Sequence, residues 1–452
     1  MKSLRLASFG IRGFVGTSFD PRDAIHYAAA FGTFVDGGRV LLGRDTRSSS
    51  EMLHAAAMSG LMACGCEVVD CGVCPTPILQ WAVPQRGAAG ALSITGGHHD
   101  RGWNAIHLVG PDGAFLNHQG GGSVLDFFHS GDFLRQPWDH IGVTHDDSPA
   151  TGYFDALEAF VDAPAIRAAA FRVVIDPVGG AGCAYLPEFA RRLGLDLVAV
   201  NGDPSGYLAR DPAPRPRTAK PLASIIPPLR AGAGFVLSSD MSRLSLVTES
   251  GEPVSEELTF PLIARHVLSR TPGPVVANEC SSRTLDRVAA DAGCPLVKSA
   301  VGQSNVVAAM IDERAVLAGE GSGGVAVAGF GRGFDGFLMM ALVLEAMAKS
   351  GRPLSSLVGG LPRYFMLKRQ VDLSPREAHA AITRAERHLR MTAGAVTEGD
   401  GVRCDWPDGW VHVRVSRTEQ VVRVISESET RELAESRSED CLRVLGSAEG
   451  IA

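Results

Sequence analysis

Strand-like runs that empty into glycine-rich turns and then into helical periodicity recur along this chain, and no other feature restricts its fold as much. RVLLG enters Arg44-Asp45-Thr46-Arg47-Ser48-Ser49 and a helical pattern to about Ala63. RVVIDPVGGAG, from about Phe171, precedes LPEFARRLG; PVVANECSS and VLAGEGSGGVAV precede FLMMALVLEAMAKS. Alternation of this kind predicts α/β units, with ligand chemistry in the turns at the strand ends. The repetition reads as weak internal duplication. At 452 residues the chain exceeds one core and calls for roughly three or four domains.

Three α/β units are expected, at 1–145, 146–245 and 246–366, followed by an α+β unit at 367–452. In the last unit a helix (SPREAHAAITRAERHLR) precedes WVHVRVSRTEQVVRVISES, alternating strands around a polar turn, and then a closing helix. Ala24, Tyr27, Phe31 and Val35 lie at helical spacing within 22–36. The Gly/His/Asp-rich residues 120–150 read as an irregular linker. Dense proline between Asp203 and Pro228 reads as an extended crossing segment rather than regular structure.

Apolar residues make up 45% and charged residues 21%, an ordinary balance for a soluble protein. A net charge of −7 argues against nucleic-acid or acidic-membrane partners. No run approaches the ~18 apolar residues of a membrane span, and the start runs into Gly and Arg too soon for a signal peptide. Nine cysteines without a regular framework suggest a reducing, cytoplasmic setting. Cys64, Cys66, Cys71 and Cys74 have a spacing that zinc accepts, but they flank helical and strand-like runs and read better as buried small hydrophobes.

Ser93–His107 (SITGGHHDRGWNAIH) concentrates the polar chemistry. A strand-like run ends in Thr95-Gly96-Gly97-His98-His99-Asp100, and His107 follows. Imidazoles near their ordinary pKa suit general acid or base work, and phosphohistidine or a His/Asp metal site are further options. The tip of this loop has no hydroxyl or thiol.

In order along the chain, these motifs resemble the α-D-phosphohexomutase superfamily, the phosphoglucomutases and phosphomannomutases. Gly10-Ile11-Arg12-Gly13, GRDTRSS from Gly43 and Gly72-x-x-Pro75-Thr76-Pro77 match closely. TGGHHDRGWNAIH aligns with the phosphoserine loop T-A-S-H-N-P-x-x-Y-N-G-I-K, and DPVGGAG from Asp176 is similar to D-x-x-x-G-A-G. SSDMSR (Ser238–Arg243) stands at the metal loop D-G-D-A-D-R, and GEGSGG (Gly319–Gly324) at the sugar loop G-E-x-S-G-H. VRVSRTEQVVRV stands at the phosphate loop R-P-S-G-T-E-P-x-x-R. The resemblance implies four domains around a central cleft, three α/β and a C-terminal α+β. It also implies phosphoryl exchange between a phosphoserine and a hexose phosphate, with magnesium held by three aspartates.

Against that pattern, Gly97 occupies the nucleophile position, and Ser238 and Ser242 replace two metal-binding aspartates, leaving Asp240. Gly324 replaces a histidine; His99, Asp100, Ala105 and His107 replace Asn, Pro, Gly and Lys; Gln303 and Ser304 replace the usual pair after Val301-Gly302. Hydroxyls are poor ligands for a hard cation, so no cofactor is expected, or magnesium only weakly. Arg414, Ser416, Thr418 and Arg423 keep the phosphate-loop pattern, and Arg417 adds a positive charge in place of the loop glycine. Glu320 and Ser322 keep the sugar-reading positions, and Arg12, Arg44 and Arg243 favour an anionic ligand.

The reading that follows is a phosphosugar-cleft protein that has lost phosphoserine and magnesium mutase chemistry, a binder or pseudoenzyme with a phosphorylated sugar and another enzyme as partners. One alternative is an enzyme repurposed for chemistry on a phosphorylated sugar or nucleoside, with His98 and Asp240 as acid and base. Another is a residual phosphoglucomutase or phosphomannomutase.

Overall fold

A computed structural model describes residues 4–7, 9–392, 394–416 and 421–446. Four sheets organise them: seven, four, four and five strands. One topology occurs three times. In the first sheet Trp103–Val109, Gly90–Ile94, Val40–Arg44 and Val68–Val73 lie side by side. In the second the order is Leu244–Thr248, Ala233–Leu237, Arg172–Asp176, Asp196–Ala199; in the third, Gly324–Val327, Leu317–Glu320, Val275–Asn278, Leu296–Ser299. Each set begins with an antiparallel hairpin and continues with two parallel pairings. The duplication suggested by the sequence is therefore a repeated supersecondary unit. Its hairpin turn is, in succession, the Gly97 loop, the Asp240 loop and the Gly321–Gly323 turn.

The central strands of the first sheet are buried up to the half-buried Arg44, because helices cover both its faces. Pro21–Phe34 and Ser50–Ala63 pack on one face with Tyr27, Phe31, Leu53 and Leu61. Thr76–Gln85 lies on the other, within an apolar core that continues through Tyr153, Ile175, Phe235 and Phe260 to Phe337. The first three units share that core. The fourth has its own, around Val402, Val411, Val422 and Ala381, between an antiparallel sheet and the helices Pro375–Arg390 and Arg431–Gly446. This is the four-domain α/β architecture with a C-terminal α+β unit expected from the sequence.

Three local expectations change. Within 120–150, His118–Ser130 is a helix capped by the Asn117 side chain, and Thr144–Asp146 adds an edge strand beside Val68–Val73. Three glycines weaken the helix by roughly 1 kcal/mol each, but Val124, Leu125, Phe127 and Phe128 pack onto the first core and override them. Within the proline-rich segment, Pro216–Ala223 and Ile226–Leu229 are helical; proline at a first helical turn gives up an amide that needs no partner there. The last unit carries strands Phe365–Asp372, Ala395–Gly399 and Gly401–Trp406 in addition to the two expected.

The clustered cysteines divide between two cores. Cys64 and Cys66 belong to one face of the first sheet, Cys71 and Cys74 to the other, so they share no ion. All nine are free thiols, and among the described residues no helix is long and apolar enough to cross a membrane.

Candidate active site

The Gly97 loop is tied down by one arginine. The loop's carbonyls have no sheet partner, so on burial they need donors. Arg47, 2% exposed, donates to the carbonyls of Gly97 (3.0 Å), His99 (2.7 Å), Asp100 (2.7 Å) and Trp103 (3.2 Å). Its Nε reaches Asp45 Oδ2 at 3.0 Å. Asp45 also accepts from Thr95 and Ser50. Gly96 makes this possible, since a Cβ there would lie 2.5 Å from the Arg47 Cζ. Arg47 lies in the GRDTRSS motif, but nothing in the local sequence marks it as the residue that holds this loop. Gly97 itself sits at φ +54°, and a Cβ on it would point at Asp240 Oδ2, 3.4 Å away.

Asp240 faces this loop from the second unit. Its Oδ1 accepts from Ser238 Oγ at 2.6 Å, Ser242 Oγ at 2.9 Å and the Ser242 amide at 3.1 Å. The two serines that replace aspartates thus donate into the remaining carboxylate. Ser239 Oγ donates to the Gly97 carbonyl at 2.8 Å, and the Thr76 amide to the Asp240 carbonyl at 3.2 Å, clasping the first two units. The sequence resemblance implies magnesium at this turn. The donor set here fits it poorly: one carboxylate, with one oxygen taken by three donors. Among the described residues no group of three His, Cys, Asp or Glu side chains gathers around a common point.

Arg243 joins the second and third units. Its Nη2 meets Glu320 Oε2 and its Nε meets Ser322 Oγ, both at 3.0 Å, with the guanidinium 4.7 Å over the Phe334 ring. Gly324 makes room for that stack: a Cβ there would fall 2.3 Å from Phe334. Glu320 Oε1 accepts from Asn278 (2.9 Å) and the Gly302 amide (2.8 Å), so both its oxygens are engaged, whereas Ser322 is exposed.

The loop histidines lie together. His98 and His99 stack at 4.6 Å, and Arg12 Nη1 donates to His99 Nε2 at 2.7 Å. Burial, then the charges of Arg243, Arg12 and Arg215, push His98 down to about 3. His99 is also held far below its usual range, by burial and then by His98 and Arg12. Burial, partly opposed by Asp240, lowers His107 to about 4. All three imidazoles are neutral at neutral pH. The His107 ring packs on Phe9 and Phe115, and its buried Nδ1 has no partner among the described residues. Arg215, in the proline-rich segment, was not singled out from the sequence. Arg44 turns toward the Asp45 carbonyl at 3.4 Å, and its charge acts on Asp70.

In the fourth unit Arg414 and Arg423 are direct cross-strand partners. Arg414 is buried, with Nη1 3.5 Å from Asp400 and its Nε without a partner among the described residues. The amide of buried Ser416 donates to Val421 at 2.9 Å. Like charges set opposite each other disfavour the sheet, and Asp400 supplies a carboxylate beside this pair. Arg417 and Thr418 lie outside the described residues.

Three family models match the chain, the phosphoglucomutase/phosphomannomutase α/β/α domains I, II and III, at residues 6–134, 151–251 and 255–365. This chain belongs to the phosphoglucomutase/phosphomannomutase family. A phosphoglucomutase/phosphomannomutase of Thermococcus kodakarensis is 34% identical over 98% of both chains. A phosphoglucosamine/phosphogalactosamine mutase of Sulfurisphaera tokodaii is 28% identical over 94% of this chain and 95% of its own. Among solved structures, a family protein of Burkholderia thailandensis superposes with TM-score 0.86, 25% identity and 99% coverage of each chain.

These relatives overturn the reading of a binder or pseudoenzyme without mutase chemistry. End to end, the chain is similar to proteins named as mutases. Glycine at 97 and serines at 238 and 242 are thus substitutions within a mutase family, and they do not by themselves amount to loss of the reaction.

Proposed function

We propose that this protein is a phosphohexose mutase that interconverts hexose 1-phosphates and hexose 6-phosphates. The observation that carries the reading is the convergence of the three repeated hairpin turns. Asp240 faces the Gly97 loop, and Arg243, three residues on, holds Glu320 and Ser322. One place in the fold thus offers cations for phosphate and hydroxyl-reading groups for a sugar.

In this reading Arg12, Arg44 and Arg243 favour the anionic substrate by charge, and exposed Ser322 meets a sugar hydroxyl. Glu320 works through Arg243, because its own oxygens are engaged. Arg414, Ser416, Arg417, Thr418 and Arg423 hold the phosphate that is not reacting, which leaves the other end of the sugar at the Gly97 loop. His98 and Asp240 are the candidates for chemistry there. The work is done in the cytoplasm, where phosphorylated sugars are made and used.

The test is direct: glucose, mannose and glucosamine 1-phosphates are each incubated with the protein and a trace of the matching 1,6-bisphosphate, and phosphorus NMR follows the 6-phosphates. Conversion of at least one sugar at rates proportional to protein is expected. No conversion of any, with or without magnesium, overturns the reading.

A further inference from the structure

Moving a phosphoryl group between the two ends of a pyranose requires a temporary carrier, because the two oxygens do not approach each other within one sugar. The proposed function therefore needs a nucleophile at the Gly97 loop, and Gly97 supplies none. The hydroxyls nearest the Asp240 face do not serve. Ser238, Ser239, Ser242 and Thr95 are at most 5% exposed. Each spends its proton on a neighbour: Ser238 and Ser242 on Asp240, Ser239 on Gly97 O, Thr95 on Asp45.

Among the imidazoles, His99 uses its Nε2 lone pair to accept from Arg12, and His107 has its Nδ1 sealed between aromatic rings. His98 differs from both. It follows Gly97 directly, at the tip of the loop, and stacks on His99; its ring nitrogens, like those of His107, make no hydrogen bond among the described residues. Arg12 from the first unit and Arg215 and Arg243 from the second set the charge around it.

Resting on the proposed mutase reading, we infer that His98 is the phosphoryl carrier of this protein, working through a phosphohistidine where a side-chain oxygen is missing. One imidazole nitrogen attacks the phosphorus of a hexose 1,6-bisphosphate. The N–P bond forms as the P–O bond to the sugar breaks, and the sugar oxygen leaves with the electron pair and takes a proton from solvent. In the return step a hydroxyl of the reoriented hexose monophosphate loses its proton to solvent and attacks the phosphorus, and the N–P electron pair returns to the ring. A neutral imidazole is the form that attacks, and burial, then the positive charges around it, keep it neutral. The same guanidiniums balance the charge of the phosphoryl oxygens in transit. Stacking on His99, which Arg12 fixes, holds the His98 ring in place.

The experiment uses the whole protein and glucose 1,6-bisphosphate labelled in both phosphates, with turnover of glucose 1-phosphate measured in parallel. Protein is denatured without acid, and label stability is tested in acid and in alkali. Phosphopeptides are mapped by mass spectrometry. The expected result is label lost in acid, kept in alkali and located on His98. His98→Gln is expected to abolish the label and to lower kcat by ~10³-fold or more, with circular dichroism and melting temperature unchanged. Mapping on the unaltered protein keeps the test decisive if that variant fails to fold. Acid-stable label on a serine or threonine, Ser322 included, overturns the inference. Turnover without label on His98 overturns it and leaves the mutase reading standing. Absence of both label and turnover overturns both.

Discussion

Arg47 shows how much can rest on one side chain. Its guanidinium fork serves four backbone carbonyls and one carboxylate, which fixes the Gly97–Trp103 turn against Asp45. Arg47→Ala leaves Asp45 buried without its cation and the carbonyls without donors. A loss of about 3–5 kcal/mol is expected from urea unfolding. Arg47→Lys keeps the charge, but one ammonium cannot span the carbonyls that the planar fork reaches. The turn is then held less exactly, and kcat/KM in the phosphorus NMR assay is expected to fall ~10²-fold at near-wild-type stability. The sequence showed a basic residue in a family motif. It did not show that this arginine points inward, because the carbonyls it serves lie about 50 residues away and only the hairpin brings them near.

At the scale of elements, the three hairpin turns were legible because strand, glycine turn and helix are local patterns, and their repetition is visible in the residues themselves. The helices at His118–Ser130 and Pro216–Ala223 were not. Their glycines and prolines oppose helix locally, and it is the packing of Val124 and Phe128, or of Ala219 and Leu222, on distant cores that decides. The Asp240 turn gives a prediction that belongs to the element. Ser238 and Ser242 now donate to Asp240, so the turn's charges are one carboxylate and the Arg243 guanidinium. Ser238→Asp with Ser242→Asp replaces two donors by two anionic ligands, and magnesium binding measured by calorimetry is expected to tighten at least ~10-fold. Without magnesium the same variant is expected to be less stable than the parent, since three carboxylates then share one turn. Equal magnesium affinity in parent and variant would show that this turn does not bind the ion. The Arg414–Arg423 pair gives a second prediction. Inorganic phosphate is expected to raise the melting temperature of the parent protein, and the rise is expected to vanish in Arg414→Gln.

At the scale of the whole molecule, the first three units share one core while the fourth has its own, so the seam between third and fourth units is where polar contacts carry the docking. Glu427 accepts from Trp410 on its own sheet and from the Arg283 amide across the seam, Arg403 reaches the Glu279 carbonyl, and Lys368 pairs with Glu256 and Glu257. At its centre His412, fully buried, has Nδ1 3.0 Å from Cys280 Sγ and Nε2 2.9 Å from the Asp400 carbonyl. The neutral ring satisfies both, with Nε2–H donating and Nδ1 accepting. Burial, then the charges of Arg414 and Arg403, lower His412 to about 4, with Asp400 opposing. The sign follows from which state binds the proton first. The unfolded chain takes it up near the ordinary histidine value of about 6.5, whereas the folded chain does so only near 4. His412 therefore leaves stability intact above pH 6.5 and removes it progressively as pH falls toward 4, by at most about 3 kcal/mol. His98 and His107 act in the same direction, so the informative quantity is a difference. Urea unfolding of parent and His412→Gln across pH 7 to 4 is expected to show a shallower decline in the variant. Domain separation is expected to accompany the parent's decline, since protonation places an N–H against the Cys280 thiol that now donates to it. Parallel declines in the two proteins would mean that His412 is protonated equally in the folded and unfolded chains, and that this seam does not sense pH.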